Sequence, residues 1–174
     1  MSIVFKTSRL MVFATLMTTI LAQPQAAHGQ GSSSERNAIP GDTLIMLERT
    51  ACYGMCPIYK VTISADGTVG FQGTRFVKNI GTARATISPS KVRELIGIFD
   101  KIRFFELNNQ YATRTDGCKQ WFTDHPSAIT SITVNGRTKT VRHDYGCRGV
   151  DVLTDLEKLE HEIDLAVNID QWIR

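Results

Sequence analysis

The chain has 174 residues, 42% of them apolar, with 20 basic and 17 acidic side chains. So even a charge balance argues against a nucleic-acid binder, which usually shows a basic stripe, and no nucleic-acid partner is expected. The length allows one small domain behind a leader, with a real core that cross-links would still help.

Residues 1–29 read as a secretory signal peptide. Lys6 and Arg9 form a positive head, residues 10–22 an apolar run, and Ala26, Ala27 and Gly29 offer small residues for cleavage. The run is shorter than the about 20 apolar residues of a spanning helix, so no membrane contact is expected after cleavage. Loss of Lys6 and Arg9 from the 20 basic residues leaves 18 against 17 acidic. Residues 30–41, polar and rich in Ser and Gly, read as a flexible leader. Residues 42–174 read as a single α+β domain, expected in the periplasm or outside the cell. All four cysteines, Cys52, Cys56, Cys118 and Cys147, lie in that domain, and an even count in an exported chain reads as disulfides.

The apolar run at 44–47 is short enough for a buried strand spanning 43–49. A corner follows at 50–57, where Gly54 permits a sharp turn between Cys52 and Cys56 and Pro57 precedes the next ladder. We read it as a disulfide-stapled corner. Residues 58–64 alternate, with Tyr59, Val61 and Ile63 on one face. Asp66-Gly67 supplies a turn, and residues 68–72 return with Val69 and Phe71 facing the same core. Residues 75–80 are expected to carry the sheet on, Gly81 to break it and 83–87 to add a short strand. Ser88-Pro89 then opens a helix with Ser as N-cap. Val92, Leu95, Ile96, Phe99 and Ile102 form its apolar stripe, and Phe104, Phe105 and Leu107 return the chain to the core.

Residues 108–126 form a long connection carrying Tyr111, Cys118, Trp121, Phe122 and His125. Loops of that length are usually functional or disordered; its aromatic residues predict an ordered one. Tyr111, Trp121 and Phe122 are expected to pack beneath it, with a recognition patch as the other reading. Residues 127–134 alternate, Asn135-Gly136 marks a hairpin turn, and residues 137–143 return. A loop holding Cys147 leads to a second helix from about Asp151, with Val152, Leu153, Leu156, Leu159, Ile163 and Val167 as its apolar face. Thr154 and Glu157 have capping-box spacing, with Asp151 as a competing cap. Seven acids and one lysine between 151 and 170 read as a solvated helix face, or more sharply as an acidic docking face. Trp172 and Ile173 are expected to pack back on the sheet. Hairpin-then-helix thus occurs twice. The predicted fold is an antiparallel sheet of two hairpins and flanking strands packed against two amphipathic helices.

The stretch from Cys52 to Ile63, followed by Asp66-Gly67-Thr68-Val69, resembles a family of bacterial, often exported, domains of unknown function. The hallmark is Cys-aromatic-Gly-x-Cys-Pro-x-Tyr before a hairpin. Ser88-Pro89, residues 123–126 and Asn135-Gly136 also match. The resemblance implies a fold and a compartment, and no activity. Relatives that keep the first cysteine pair without the second imply two separate pairs, Cys52 with Cys56 and Cys118 with Cys147.

Candidate chemistry is sparse. A redox role for Cys52 and Cys56 lacks the usual two-residue spacing and following helix, and Pro57 stands where haem attachment needs a His. A Cys118–Cys147 bridge would stabilise by about 3 kcal/mol. Its rival is a metal or thiol site of Cys118, His125, His143 and Cys147, a zinc-type set that an oxidising compartment disfavours. His125 with Asp124, or His143 with Asp144, would have to orient a free thiol for catalysis. His161-Glu162 starts a zinc-protease pattern, but Leu165 stands at the second His. The residues therefore point to a monomeric, non-enzymatic binding or structural module with no cofactor, whose partner is a protein or a cell-envelope ligand.

Overall fold

A computed structural model of the chain describes residues 38–174. The stretches expected to be a signal peptide and, for the most part, a leader lie outside the described residues. No helix among the described residues is long and apolar enough to cross a membrane.

Seven strands form one sheet: β1 (Leu44–Arg49), β2 (Ile58–Ser64), β3 (Thr68–Arg75), β4 (Gly81–Thr86), β5 (Gln110–Tyr111), β7 (Ser127–Val134) and β8 (Arg137–Asp144). Their order is β4-β3-β2-β1-β7-β8-β5, while β6 (Gln120–Trp121) and β9 (Cys147–Arg148) form a separate ribbon. Every pairing in the large sheet is antiparallel except β5 with β8. β1 lies between the two hairpins, so the fold is the α+β sheet-and-helix arrangement expected from the pattern.

Local chemistry explains the hairpins. Gly67 takes φ +85° after Asp66, and Asp66 Oδ1 accepts from the Thr68 N–H at 2.8 Å. Asn135 and Gly136 both have positive φ, +52° and +70°, which a two-residue turn of matching twist requires. Residues 76–80 depart from expectation. Phe76 adopts φ +55° and turns the chain out of β3, and Gly81 opens β4 instead of breaking a strand. The segment is held from outside the sheet, by the Asn79 N–H donating to the Trp172 carbonyl at 2.9 Å.

The helices are α1 (Pro89–Lys101), α2 (Leu153–Ala166) and the short α3 (Asp170–Ile173). Ser88 caps α1, its hydroxyl accepting from the Lys91 N–H at 3.2 Å. The α2 caps read from the sequence do not form: the helix starts after Val152 with no side-chain cap. The Leu153 N–H instead donates to the Val150 carbonyl, so the loop behind the Cys118–Cys147 bond sets where α2 begins.

One sheet face builds the core. Ile45, Leu47, Val61, Ile63, Val69, Phe71, Ile132 and Val141 are buried there against Val92, Leu95 and Phe99 of α1 and Leu156, Leu159 and Ile163 of α2. Burial of each such side chain contributes about 1.5–3 kcal/mol. Phe104 meets Phe99 edge-on with ring centroids 4.8 Å apart, and Trp172 stacks on Phe71 at 4.7 Å. The opposite face carries residues of the other parity, among them Lys60, Thr62, Gln72 and Arg84, which are exposed or half-buried.

Candidate functional site

One cross-strand row on the core face is polar. The register aligns Tyr59 on β2 with Arg49 on β1, Arg49 with Ala128 on β7, Ala128 with His143 on β8, and His143 with Tyr111 on β5. The next row inward is Phe71, Val61, Leu47, Thr130 and Val141, nearly all apolar. Above the polar row, Glu160 and Asp164 lie one turn apart on the buried face of α2. Arg49 sends Nη2 to Asp164 Oδ2 at 2.8 Å and Nη1 to Glu160 Oε2 at 3.3 Å, and donates also to the Tyr145 hydroxyl. The Tyr59 hydroxyl donates to Asp164 Oδ1 at 2.8 Å, and the Tyr145 hydroxyl donates to Glu160. His143 Nδ1 lies 3.1 Å from Glu160 Oε1. Which atom donates in that contact depends on the imidazole tautomer. His143 Nε2 is buried without a partner.

Electrostatics follow from this packing. Burial alone would lower the Arg49 pKa, but Asp164, Tyr145 and Glu160 beside it hold it above its ordinary value. Burial pushes the Asp164 carboxyl above the usual carboxylate range, even against Arg49 and Tyr59. Burial likewise pushes both tyrosine hydroxyls up, so they stay protonated donors. Charges taken from water this way bring little net stability while paired, but unpairing one is costly.

Arg49, Tyr59 and Tyr145 of the cluster also line a depression of about 250 Å³, together with Thr50, Cys56, Pro57, Pro126 and Ile173. Cys56 and Pro57 come from the corner singled out in the sequence, Tyr59 from the strand after it, and Pro126 ends the 123–126 segment. Cys52 and Cys56 are bonded with Cα atoms 5.8 Å apart, and the Tyr53 N–H donates to the Asp124 carbonyl at 3.1 Å. The two segments are therefore fastened together beside the depression. Tyr53 is 89% exposed and Met55 82%, among the three residues between Cys52 and Cys56. Trp121 and Phe122, half exposed, lie just before the 123–126 segment.

Cys118 and Cys147 are bonded to each other, Cα atoms 5.2 Å apart, so the described residues hold no free cysteine. This removes the thiol and metal set proposed for Cys118, His125, His143 and Cys147. His125 is exposed while His143 is enclosed against Glu160, and no group of three or more metal-ligating side chains gathers among the described residues. Neither His–Asp pair forms: Asp144 accepts from Ser127 and the Gly146 N–H, Asp124 from Thr123. His161 is an exposed helix residue. Of the loop aromatics, Tyr111 enters the core as expected, whereas Trp121 and Phe122 do not. Trp121 lies on β6, which pairs with β9 over two residues, and Phe122 follows it, its N–H donating to the Gly146 carbonyl at 3.1 Å.

Reading the sequence missed Arg49, Glu160 and Asp164. The signal was present. Arg49 shares parity with Ile45 and Leu47, and Glu160 falls within the arc of Leu153, Leu156 and Val167 at helical spacing. The acidic segment is thus not one solvated face: two of its seven acids are buried partners of Arg49.

Fold and site together define a disulfide-cross-linked α+β domain, one sheet under two main helices, with a buried ion cluster beside a small depression. The chain belongs to the family described as domain of unknown function (DUF6438), whose pattern matches residues 43–165. No curated protein matches it.

Proposed function

We propose that this protein is a monomeric binding module of an oxidising compartment, the periplasm or the cell exterior, that recognises a protein partner without a resident cofactor. The observation that carries the reading is the near-complete exposure of Tyr53 and Met55 on a loop closed by a disulfide. Large apolar side chains held out on rigid backbone lose little freedom on association, and aromatic anchors dominate binding energy. Trp121 and Phe122 extend the same apolar rim on the neighbouring segment. The two bonded cysteine pairs and the absence of a spanning helix among the described residues fit such a compartment.

Two measurements test this together. Fractionation with thiol labelling should recover the protein outside the cytoplasm with no reactive thiols. A random-peptide display selection should enrich binders on the native protein and not on a Tyr53→Ser, Met55→Ser, Phe122→Ser variant of equal melting temperature. Cytoplasmic protein with labelled cysteines, or equal enrichment on the variant, overturns the reading.

A further inference from the structure

We infer that the depression above Arg49 is an anchor pocket for one uncharged apolar side chain and its adjoining main-chain carbonyl, presented by an extended segment of the partner protein. The inference rests on the binding-module reading and adds what that module accepts.

Size sets the first limit. About 250 Å³ is below the range that takes a drug-sized ligand, and leaves room for a single side chain. The walls set the second. Pro57, Pro126, Ile173 and the ring of Tyr145 are apolar surfaces suited to an aromatic ring or a branched aliphatic group. Arg49 sets the third. A guanidinium has five N–H donors, and Arg49 uses three on Tyr145, Glu160 and Asp164. Arg49 is still 17% exposed, which leaves donors for an acceptor entering from solvent.

Charge decides the kind of acceptor. A lone arginine in an apolar pocket would select a carboxylate. Here one guanidinium already faces two carboxyl groups, at 3.3 and 2.8 Å. A third carboxylate would meet that pair across a short distance in a poorly screened site, where like charges repel most strongly. A neutral carbonyl takes the same hydrogen bond without the repulsion. The prominent Tyr53 and Met55, on the loop that ends in Cys56, then flank the entering segment.

The test uses two probes that differ in one charge, N-acetyl-phenylalaninamide and N-acetyl-phenylalanine, titrated into the exported protein and followed by amide NMR. The amide is expected to shift the signals of Arg49, Thr50, Tyr145 and Ile173 and to saturate on the order of 1 mM, as fits so small a ligand. The acid should bind at least about tenfold more weakly, and Ile173→Trp, which fills the pocket from its rim, should abolish the shifts. Equal or tighter binding of the acid overturns the inference, as does an amide that leaves these four signals unmoved; both readouts come from the native protein and do not depend on the variant folding. If the amide leaves the pocket untouched while the peptide selection still depends on Tyr53, Met55 and Phe122, the pocket falls and the binding module stands.

Discussion

Two helices lie on one sheet, yet they are held to it by different physics. α1 buries Val92, Leu95 and Phe99 and nothing charged, and its N-terminus is closed by its own Ser88. α2 buries Leu153, Leu156, Leu159 and Ile163, and with them Glu160 and Asp164, and its start has no side-chain cap. Apolar contact is tolerant of small shifts; a guanidinium held by two carboxylates and a hydroxyl is not. The comparison teaches that α1 is fixed by its own sequence, whereas α2 is placed by partners on β1, β2 and β8. That same placement roofs the polar row and leaves the depression beside it.

The contrast breaks most sharply at the two centres. Arg49→Ala strands two buried carboxyl groups and should cost about 3–5 kcal/mol. Phe99→Ala leaves a cavity under α1 and should cost about the same. Denaturant unfolding at several pH values separates them: the Arg49 loss should change with pH and the Phe99 loss should not. Equal pH profiles would erase the distinction between the helices.

Next in size is the cross-link that feeds α2. Cys118→Ser opens a loop with a sequence separation of 29 and should cost roughly 3–4 kcal/mol in the chain-entropy model. Cys52→Ser opens a separation of only 4 and should cost about 2 kcal/mol. Cys118→Ser should lower the melting temperature without abolishing capture of peptides selected on the native protein. An unchanged melting temperature would show that the bond does not set the start of α2.

The acidic side of the cluster gives a smaller, directional effect. Asp164 is raised above its ordinary value of 3.8, so the folded chain binds its proton more tightly than the unfolded one. Its contribution is therefore fully present below that ordinary value and is lost as pH rises through the raised one. The surface carboxyls of Asp42, Asp66 and Asp116 are lowered mainly by hydrogen bonds, so theirs is lost as pH falls below 3.8. Stability should accordingly peak in mildly acidic solution, and Asp164→Asn should flatten the fall between that peak and neutrality. A native protein most stable at neutral pH would contradict the sign. Smallest of all, Ser88→Ala should cost about 1 kcal/mol by uncapping α1, with no shift in the signals of Arg49 or Tyr145.

Much of this was legible along the chain because strand and helix periods are local. Tyr59, Val61 and Ile63, the Asn135-Gly136 turn and the stripe of α1 each depend on neighbours within a few residues. The site was half legible. Cys56, Pro57 and Pro126 stood out as punctuation, but nothing nearby says that residues so far apart line one depression. Glu160 and Asp164 were obscured because an acid in a helix is ordinarily solvated, and only a partner on another element makes its burial tolerable.

By itself, then, the sequence determined the elements, the α+β class and an even set of cysteines, since turn chemistry and side-chain period act over short distances. Tertiary structure alone decided that Arg49, 111 positions before Glu160 in the chain, would sit beneath it. It also decided that Trp121 and Phe122 would face water and that the Phe76 segment would leave the strand and fold against Gly73. Those outcomes turn on the free energy of desolvating particular groups against particular partners, and no local pattern carries that information.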